Sequence, residues 1–268
     1  MILTNTTGLT LGSSSISGSM TVNTVGDIIQ SGSLNINGLA TFSAGNSHNI
    51  TLSNPSNTLN QISITSGNNA SISSNTNLQI ASTTLANNLN ITTQGALNQT
   101  GSLQSDSLTL TAVNGINLTN TNQTHALNAV DTSGNISFNN AVDPLTISGI
   151  TLHGNGSVNI NNIGQINITG PIATTGGSVS IMTTSASHSP APVITSAPIS
   201  TQGNNIYINA ANPTNINPIL TVNSLLTTAG GTGQGVLLVG DNVALNVAPQ
   251  LGAGNITLQG LPPAPPCA

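Results

Sequence analysis

Apolar residues recur along the chain in short triplets in which one polar residue separates two apolar ones. Strict alternation over a few residues is typical of a β-strand with one buried face. Clusters of Gly, Asn and Ser, such as residues 66–69 and 203–205, separate the triplets and favour turns. No window carries an apolar stripe at helical spacing, so the pattern predicts an all-β chain. The clearest triplets are residues 20–22, 50–52, 62–64, 89–91, 108–110, 116–118, 158–160, 179–181, 206–208 and 256–258.

The order of apolar and glycine positions repeats, because the segment 9–34 matches the segment 78–103 when the two are aligned without a gap. A third copy begins at Leu145, gains two residues after Leu152 and then resumes the same spacing. Such regular repetition indicates a solenoid, in which each repeat stacks on the next. The matched positions include Leu9 with Leu78, Ile16 with Leu85, Met20 with Leu89, Ile28 with Leu97, Gln30 with Gln99 and Gly32 with Gly101.

The displacement from Leu9 to Leu78 divides into three coils of about 23 residues, within the range of β-helix repeats. We therefore predict a parallel β-solenoid of about 12 coils, which gives a rod about 55–60 Å long at the strand spacing of a sheet. The solenoid is expected to span residues 1–260, with a proline-containing excursion near 183–198 and a Pro-rich tail at 261–268. Since the sequence offers no charged caps, we expect open ends that continue into more chain or onto another copy.

Charge is almost absent from the chain, which has no Lys or Arg, five Asp and no Glu. The lack of basic residues argues against binding to nucleic acid and against docking to anionic lipid. No apolar run approaches the roughly 18 residues that cross a membrane, so an integral membrane protein is not expected. The first residues show no signal peptide, and a secreted protein would therefore be a mature portion or a fragment.

The chain resembles the repeat region of filamentous-haemagglutinin-like exoproteins and large autotransporter adhesins. The pattern that carries the resemblance runs through residues 8–12, 16–22, 26–34, 38–45 and 49–52, and it recurs in weaker form to about residue 260. The resemblance implies a right-handed parallel β-helix that is secreted to the cell surface or matrix and serves as an adhesin shaft or fibre. Two features depart from the family, namely the missing secretion domain and the absence of Lys and Arg.

Candidate chemistry is sparse. The acidic residues Asp27, Asp106, Asp131, Asp143 and Asp241 are scattered over different repeats, whereas glycosidic cleavage needs two carboxyl groups close together. We interpret them as turn or cap residues and expect no enzymatic activity. His48, His125, His153 and His188 lack a partner at metal-ligand spacing, so we interpret them as turn residues; the alternative is that two stack in neighbouring coils and bind a metal. No cofactor is expected.

The sequence contains candidate residues for two kinds of covalent modification. Cys267 is the only cysteine, and it is either an incidental thiol or an intermolecular crosslink. Many Asn-x-Ser/Thr triplets occur, either from composition alone or as glycosylation sites of a secreted fibre. They begin at Asn49, Asn69, Asn90, Asn98, Asn117, Asn122, Asn135, Asn155, Asn167 and Asn255.

Three classes of function remain after these observations. The leading one is a non-enzymatic structural and adhesive rod, with host or matrix glycans as candidate partners. The second is an ice- or carbohydrate-binding solenoid, which would need Thr at the same outward position in every coil. The third is a polysaccharide-cleaving β-helix enzyme, which the scattered carboxylates disfavour.

Overall fold

A computed structural model describes residues 1–185, 191–210, 219–228, 235–240 and 242–260. These residues contain 28 strands and no helix, so no helix in them could cross a membrane. The strands are β1 (Ile2–Asn5), β2 (Leu9–Leu11), β3 (Ser14–Ile16), β4 (Met20–Thr24), β5 (Ile28–Gln30), β6 (Leu34–Ser43), β7 (Ile50–Leu52), β8 (Thr58–Ser66), β9 (Ala70–Ser74), β10 (Leu78–Thr84), β11 (Asn88–Thr93), β12 (Leu97–Gln99), β13 (Leu103–Ala112), β14 (Ile116–Asp131), β15 (Ile136–Asn140), β16 (Leu145–Leu152), β17 (Val158–Ile163), β18 (Ile166–Ile168), β19 (Ile172–Thr174), β20 (Val179–Thr184), β21 (Val193–Thr195), β22 (Ile199–Thr201), β23 (Ile206–Asn209), β24 (Ile219–Val222), β25 (Leu226–Thr227), β26 (Val236–Val239), β27 (Asn242–Leu245) and β28 (Ile256–Gln259).

Each strand pairs in parallel with the strand one coil further along the chain. Leu78 pairs with Leu97, and Leu97 pairs with Ile116, so these three residues mark two successive coils of equal length. The pairings join all 28 strands into one continuous sheet that winds around the core. The prediction of an all-β, parallel β-solenoid of about 12 coils is confirmed.

Ladders of paired strands form the faces of the solenoid, and two of these faces are called the second face and the third face. The second face contains β2, β5, β7, β9 and β11, in which Leu9, Ile28, Ile50, Ala70 and Leu89 occupy successive coils. The third face consists of the start of β10, β12, the start of β14, β15, β17, β20, β23, β26 and β28. This third face runs through nine coils without a register shift.

The length of a coil differs from the prediction of about 23 residues. On the second face the chain starting at Leu9 reaches Ala70 after three coils, and Leu78 belongs to the third face. The sequence repeat is therefore three coils plus one further strand. Each copy is therefore rotated by one face about the axis relative to the preceding copy. Strand β5 lies on the second face, whereas β12, which matches it in the repeat, lies on the third face.

One apolar core fills the interior along the described coils, because the alternate residues of each strand face inward. The interior also holds two aromatic rings, since Phe42 and Phe138 are both fully buried. They stack on smaller neighbours: Phe42 pairs with Val22 in the preceding coil, and Phe138 pairs with Leu118. At these two positions a large side chain thus stacks on a smaller one of the preceding coil.

Two buried amide clusters mark equivalent places in the first two copies of the repeat. In the first, Nε2 of Gln30 donates to Oδ1 of Asn57 at 2.9 Å, and Nδ2 of Asn57 donates back to Oε1 of Gln30 at 3.0 Å. In the second, Gln99 and Asn122 make the same two bonds at 2.9 and 3.1 Å. In both clusters the Asn oxygen also accepts a backbone N–H, from Leu34 or Leu103. The two copies of the repeat therefore share these internal hydrogen bonds as well as their sequence pattern.

The predicted excursion at residues 183–198 contains regular structure at both ends. Strand β20 continues to Thr184, and β21 forms Val193–Thr195 on the ladder with β18. Residues 186–190 and the Pro-rich tail at 261–268 lie outside the described residues. The coil that contains this segment is longer than the one before it, because Ile166 pairs forward with Val193 but backward with Leu145.

Candidate functional site

Four of the candidate residues form two pairs, in each of which a His is stacked on an Asp. Nδ1 of His48 lies 3.5 Å from Oδ1 of Asp27, and Nδ1 of His125 lies 3.2 Å from Oδ1 of Asp106. Each His lies one coil after its Asp on the surface of the solenoid. The second pair borders a cavity of about 160 Å³ with Gln104 among its lining residues. The pairs are well exposed, so any attraction between charged forms is screened by water.

The other carboxylates and histidines that the structure describes are Asp131, Asp143 and His153. Asp143 is exposed, and its Oδ1 accepts a hydrogen bond from the backbone N–H of Gln165 at 3.0 Å. His153 bonds through its backbone N–H to the carbonyl of Asp131 at 3.0 Å. Within the described part of the chain, no three His, Cys, Asp or Glu side chains converge on a point where a metal could bind. Asp241, His188 and Cys267 lie outside the described residues.

Asp131 is fully buried at the end of β14, where it caps a corner. Its Oδ1 accepts the backbone N–H of Gly115 at 2.8 Å, and its Oδ2 accepts that of Gly134 at 2.5 Å. Two coils earlier the same column holds Thr93, whose hydroxyl accepts the N–H of Gly95 at 3.2 Å. The carboxylate therefore has a structural role as an acceptor for corner amides.

We expect Asp131→Leu to lower the free energy of unfolding by about 1–3 kcal/mol, since two half-buried N–H groups lose their acceptor. Asp131→Thr is the matched control, and it should lose less, because Thr93 fills the equivalent position. The measurement is the midpoint of urea unfolding followed by circular dichroism. Equal losses for the two variants would contradict an acceptor role for this side chain.

The glycosylation triplets differ in accessibility. Asn90, Asn117, Asn135, Asn155 and Asn255 are exposed. Partly buried positions are Asn49, Asn69, Asn98 and Asn167. Asn122 is fully buried and hydrogen-bonded within its amide cluster, so the folded protein offers no access for a glycan there. Glycosylation at the other nine positions stays a prediction.

Ladders of asparagine line a corner of the second face. Nδ2 of Asn69 donates to Oδ1 of Asn49 at 2.9 Å, and Nδ2 of Asn88 donates to Oδ1 of Asn69 at 2.9 Å. These residues border a groove of about 360 Å³ that also contains Thr51 and Asn90. The ladder fixes the amides, because each side chain is held by the one in the neighbouring coil.

A similar groove lies on the third face, where the next copy of the repeat has turned. It has a volume of about 340 Å³, and Asn98, Asn117 and Ser137 are its outward strand residues. These three occupy one outward row in successive coils. The turn of one face per copy thus places comparable amide-lined grooves on adjacent faces of the rod.

Further along the third face, Tyr207 and Leu237 form the apolar part of a groove of about 300 Å³. Both residues and Thr257 occupy the outward row of β23, β26 and β28, one in each coil. Asn205 and Asn255 border the groove at the adjoining corner. The groove therefore combines one aromatic ring, one aliphatic side chain and several uncharged polar groups.

The position of Tyr207 is fixed by its neighbours. Its hydroxyl accepts a hydrogen bond from Nδ2 of Asn209 at 2.7 Å. Oδ1 of Asn205 accepts the backbone N–H of Gly235 at 3.0 Å, which holds the corner between two coils. The sequence pattern predicts Tyr207 at the centre of a strand, but it does not indicate the groove, because Leu237 and Thr257 come from later coils. Its signal in the sequence was the single tyrosine in a chain with almost no aromatic residues.

Comparison with known proteins gives one family. A family described as "Repeats of unknown function (DUF5649)" matches residues 1–66 and 67–131, just under half of the chain. Each matched segment contains one of the two buried Gln–Asn clusters, so the match agrees with the internal repeat. No curated protein and no solved structure matches the chain.

Proposed function

We propose that the chain is a non-enzymatic structural and adhesive segment of a bacterial surface adhesin shaft or extracellular fibre. The observation that carries the proposal is the parallel stack of coils around one core, with uncharged polar side chains outside. A solenoid gains length by adding coils, and each coil is stabilised by its neighbours. The rod extends either within a longer chain or from copy to copy.

The polar surface with few charged groups supports an adhesive role toward uncharged partners. Asn, Thr and Ser side chains in stacked rows offer hydrogen-bond donors and acceptors without the mutual repulsion of like charges. Host or matrix glycans present the complementary hydroxyl groups. Binding of this kind needs no basic residue, and the chain has none.

The outward row of the third face argues for this proposal over ice binding. It holds Gln, Asn, Ser, Tyr, Leu and Thr in successive coils, whereas a flat ice-binding ladder needs the same short side chain in each coil. The row consists of Gln79, Asn98, Asn117, Ser137, Asn159, Ser180, Tyr207, Leu237 and Thr257.

Immunogold electron microscopy of intact source cells tests the proposal, with an antibody raised against the full chain. We expect gold particles on the outer surface or along extracellular fibres. Cells treated with an external protease are the control and should lose the label. Label that is confined to the cytoplasm of sectioned cells would overturn the proposal, whatever the chain binds.

A further inference from the structure

We propose that the groove around Tyr207 is a binding subsite for one sugar residue of an uncharged, linear glycan. The inference deepens the proposed function, on which it rests, by assigning a ligand class and a site to the adhesive surface. Tyr207 is half-buried at the surface, whereas Phe42 and Phe138 are enclosed by the core. It is therefore the aromatic side chain of this protein that a ligand can reach.

Among the described residues, the neighbours of the Tyr207 ring in its outward row differ on the two sides. In the outward row Tyr207 stands between Ser180, which is short, and Leu237, which is apolar. The hydrogen bond from Asn209 holds the phenol at its edge, so the ring keeps one orientation. A fixed aromatic ring beside an aliphatic side chain is a platform for an apolar ligand face.

The polar groups at the rim favour a sugar over a purely apolar ligand. Asn205, Asn255 and Thr257 lie around the platform and are all exposed. A pyranose ring has an apolar face of C–H groups and a rim of hydroxyl groups. The C–H groups carry a slight positive charge and suit the negative face of the aromatic ring, while amide and hydroxyl side chains bind the rim.

The charge of the groove restricts the ligand further. None of its described lining residues is charged, so the groove offers neither a cation for an acidic sugar nor a carboxylate for an amine. A quaternary ammonium group is recognised by aromatic rings, but here a single ring stands without an acidic neighbour among the described lining residues. An uncharged sugar is the ligand class that fits both the aromatic platform and the polar rim.

The direction of the glycan follows from the third face. Beyond Tyr207 the outward row continues through Ser180, Asn159, Ser137 and Asn117 in successive coils. No register shift interrupts this row, so hydrogen-bonding side chains recur at every coil, about 4.8 Å apart. A linear glycan anchored at Tyr207 can run along the rod and contact the groove at Asn117 and Ser137.

The first experiment is a microarray of neutral and acidic oligosaccharides probed with the full chain, followed by calorimetric titration of the best neutral oligosaccharide. We expect Tyr207→Phe to bind within about threefold of the natural protein, since the ring remains. Tyr207→Thr should weaken binding by about tenfold or more, because the platform is lost. Thr is a residue type already present in this row, so the fold should persist, as circular dichroism would verify.

Two controls separate the site from the rest of the surface. Thr51→Ala on the second face should bind as the natural protein does, and raising the salt concentration should leave the affinity unchanged. The site is overturned if Tyr207→Thr binds the oligosaccharide as tightly as the natural protein, if the array shows no neutral glycan, or if binding falls with salt. The result of immunogold labelling does not depend on any of these outcomes, so the proposed function is tested separately from the sugar-binding site.

Discussion

Gly101→Ala is expected to lower the free energy of unfolding by about 3 kcal/mol or more. Gly101 forms a corner that lies directly over the corner of the preceding coil. A Cβ atom at this position would overlap the carbonyl oxygen of Ala81, with the carbonyl carbon of Ala81 only 2.7 Å away. The obstacle is backbone, which cannot rotate aside as a flexible side chain can. The two coils must therefore separate at this corner and weaken the hydrogen bonds beside it.

Gly18→Ala is the matched control, because a Cβ atom there has no neighbour within 4 Å. This substitution should be neutral or slightly stabilising, by up to about 1 kcal/mol, since alanine restricts the unfolded chain more than glycine does. Urea unfolding followed by circular dichroism measures both variants. Similar midpoints for the two would show that stacking at the Gly101 corner tolerates a side chain, and would contradict the close approach of the coils.

The sequence predicts strands and stacking well, because both follow from local pattern. The triplets at residues 206–208 and 256–258 fall in β23 and β28. Matching glycines recur because corners of successive coils meet, as Gly32 over Ser13 and Gly101 over Ala81 show. A pattern of alternation and tight corners is thus sufficient for the fold class.

The length of a coil could not be read from the repeat, for a physical reason. Strands on different faces share the apolar-polar-apolar pattern, so Leu9 resembles Leu78 even though the two lie on different faces. The repeat fixes which strands are similar, but closure of the coil decides which strands pair. Once β13 is known to pair with β14, the spacing of Asp106 and His125 becomes one coil and predicts their contact.

The candidate site could not be predicted either, because it also depends on which strands pair. Tyr207, Leu237 and Thr257 are far apart in the sequence, and only the register of the third face makes them neighbours. The coils between them are unequal in length, so no constant spacing would have joined these residues. Asn122 shows the converse problem, because its Asn-x-Thr motif suggests an exposed residue whereas the strand directs its side chain inward.

Asn122→Leu is expected to lower the free energy of unfolding by about 3 kcal/mol or more, because each buried polar group left without a partner costs about 1–3 kcal/mol. Leucine has a similar volume but can make none of the hydrogen bonds. The substitution leaves both amide atoms of Gln99, the N–H of Leu103 and the carbonyl of Leu118 without the Asn122 side chain. The N–H of Leu103 and the carbonyl of Leu118 are inside the solenoid, where water cannot easily replace the lost partner.

The repeat supplies an internal replicate of this experiment. Asn57 makes the same bonds with Gln30, Leu34 and the carbonyl of Leu52, so Asn57→Leu should cost a similar amount of stability. Asn90→Leu is the control, since Asn90 is exposed at the centre of a strand and its loss should change the unfolding midpoint little. If Asn122→Leu unfolded at the same urea concentration as Asn90→Leu, the amide clusters would not stabilise the fold. A loss at both Asn57 and Asn122 would instead show that each copy of the repeat is held by its own buried amide pair.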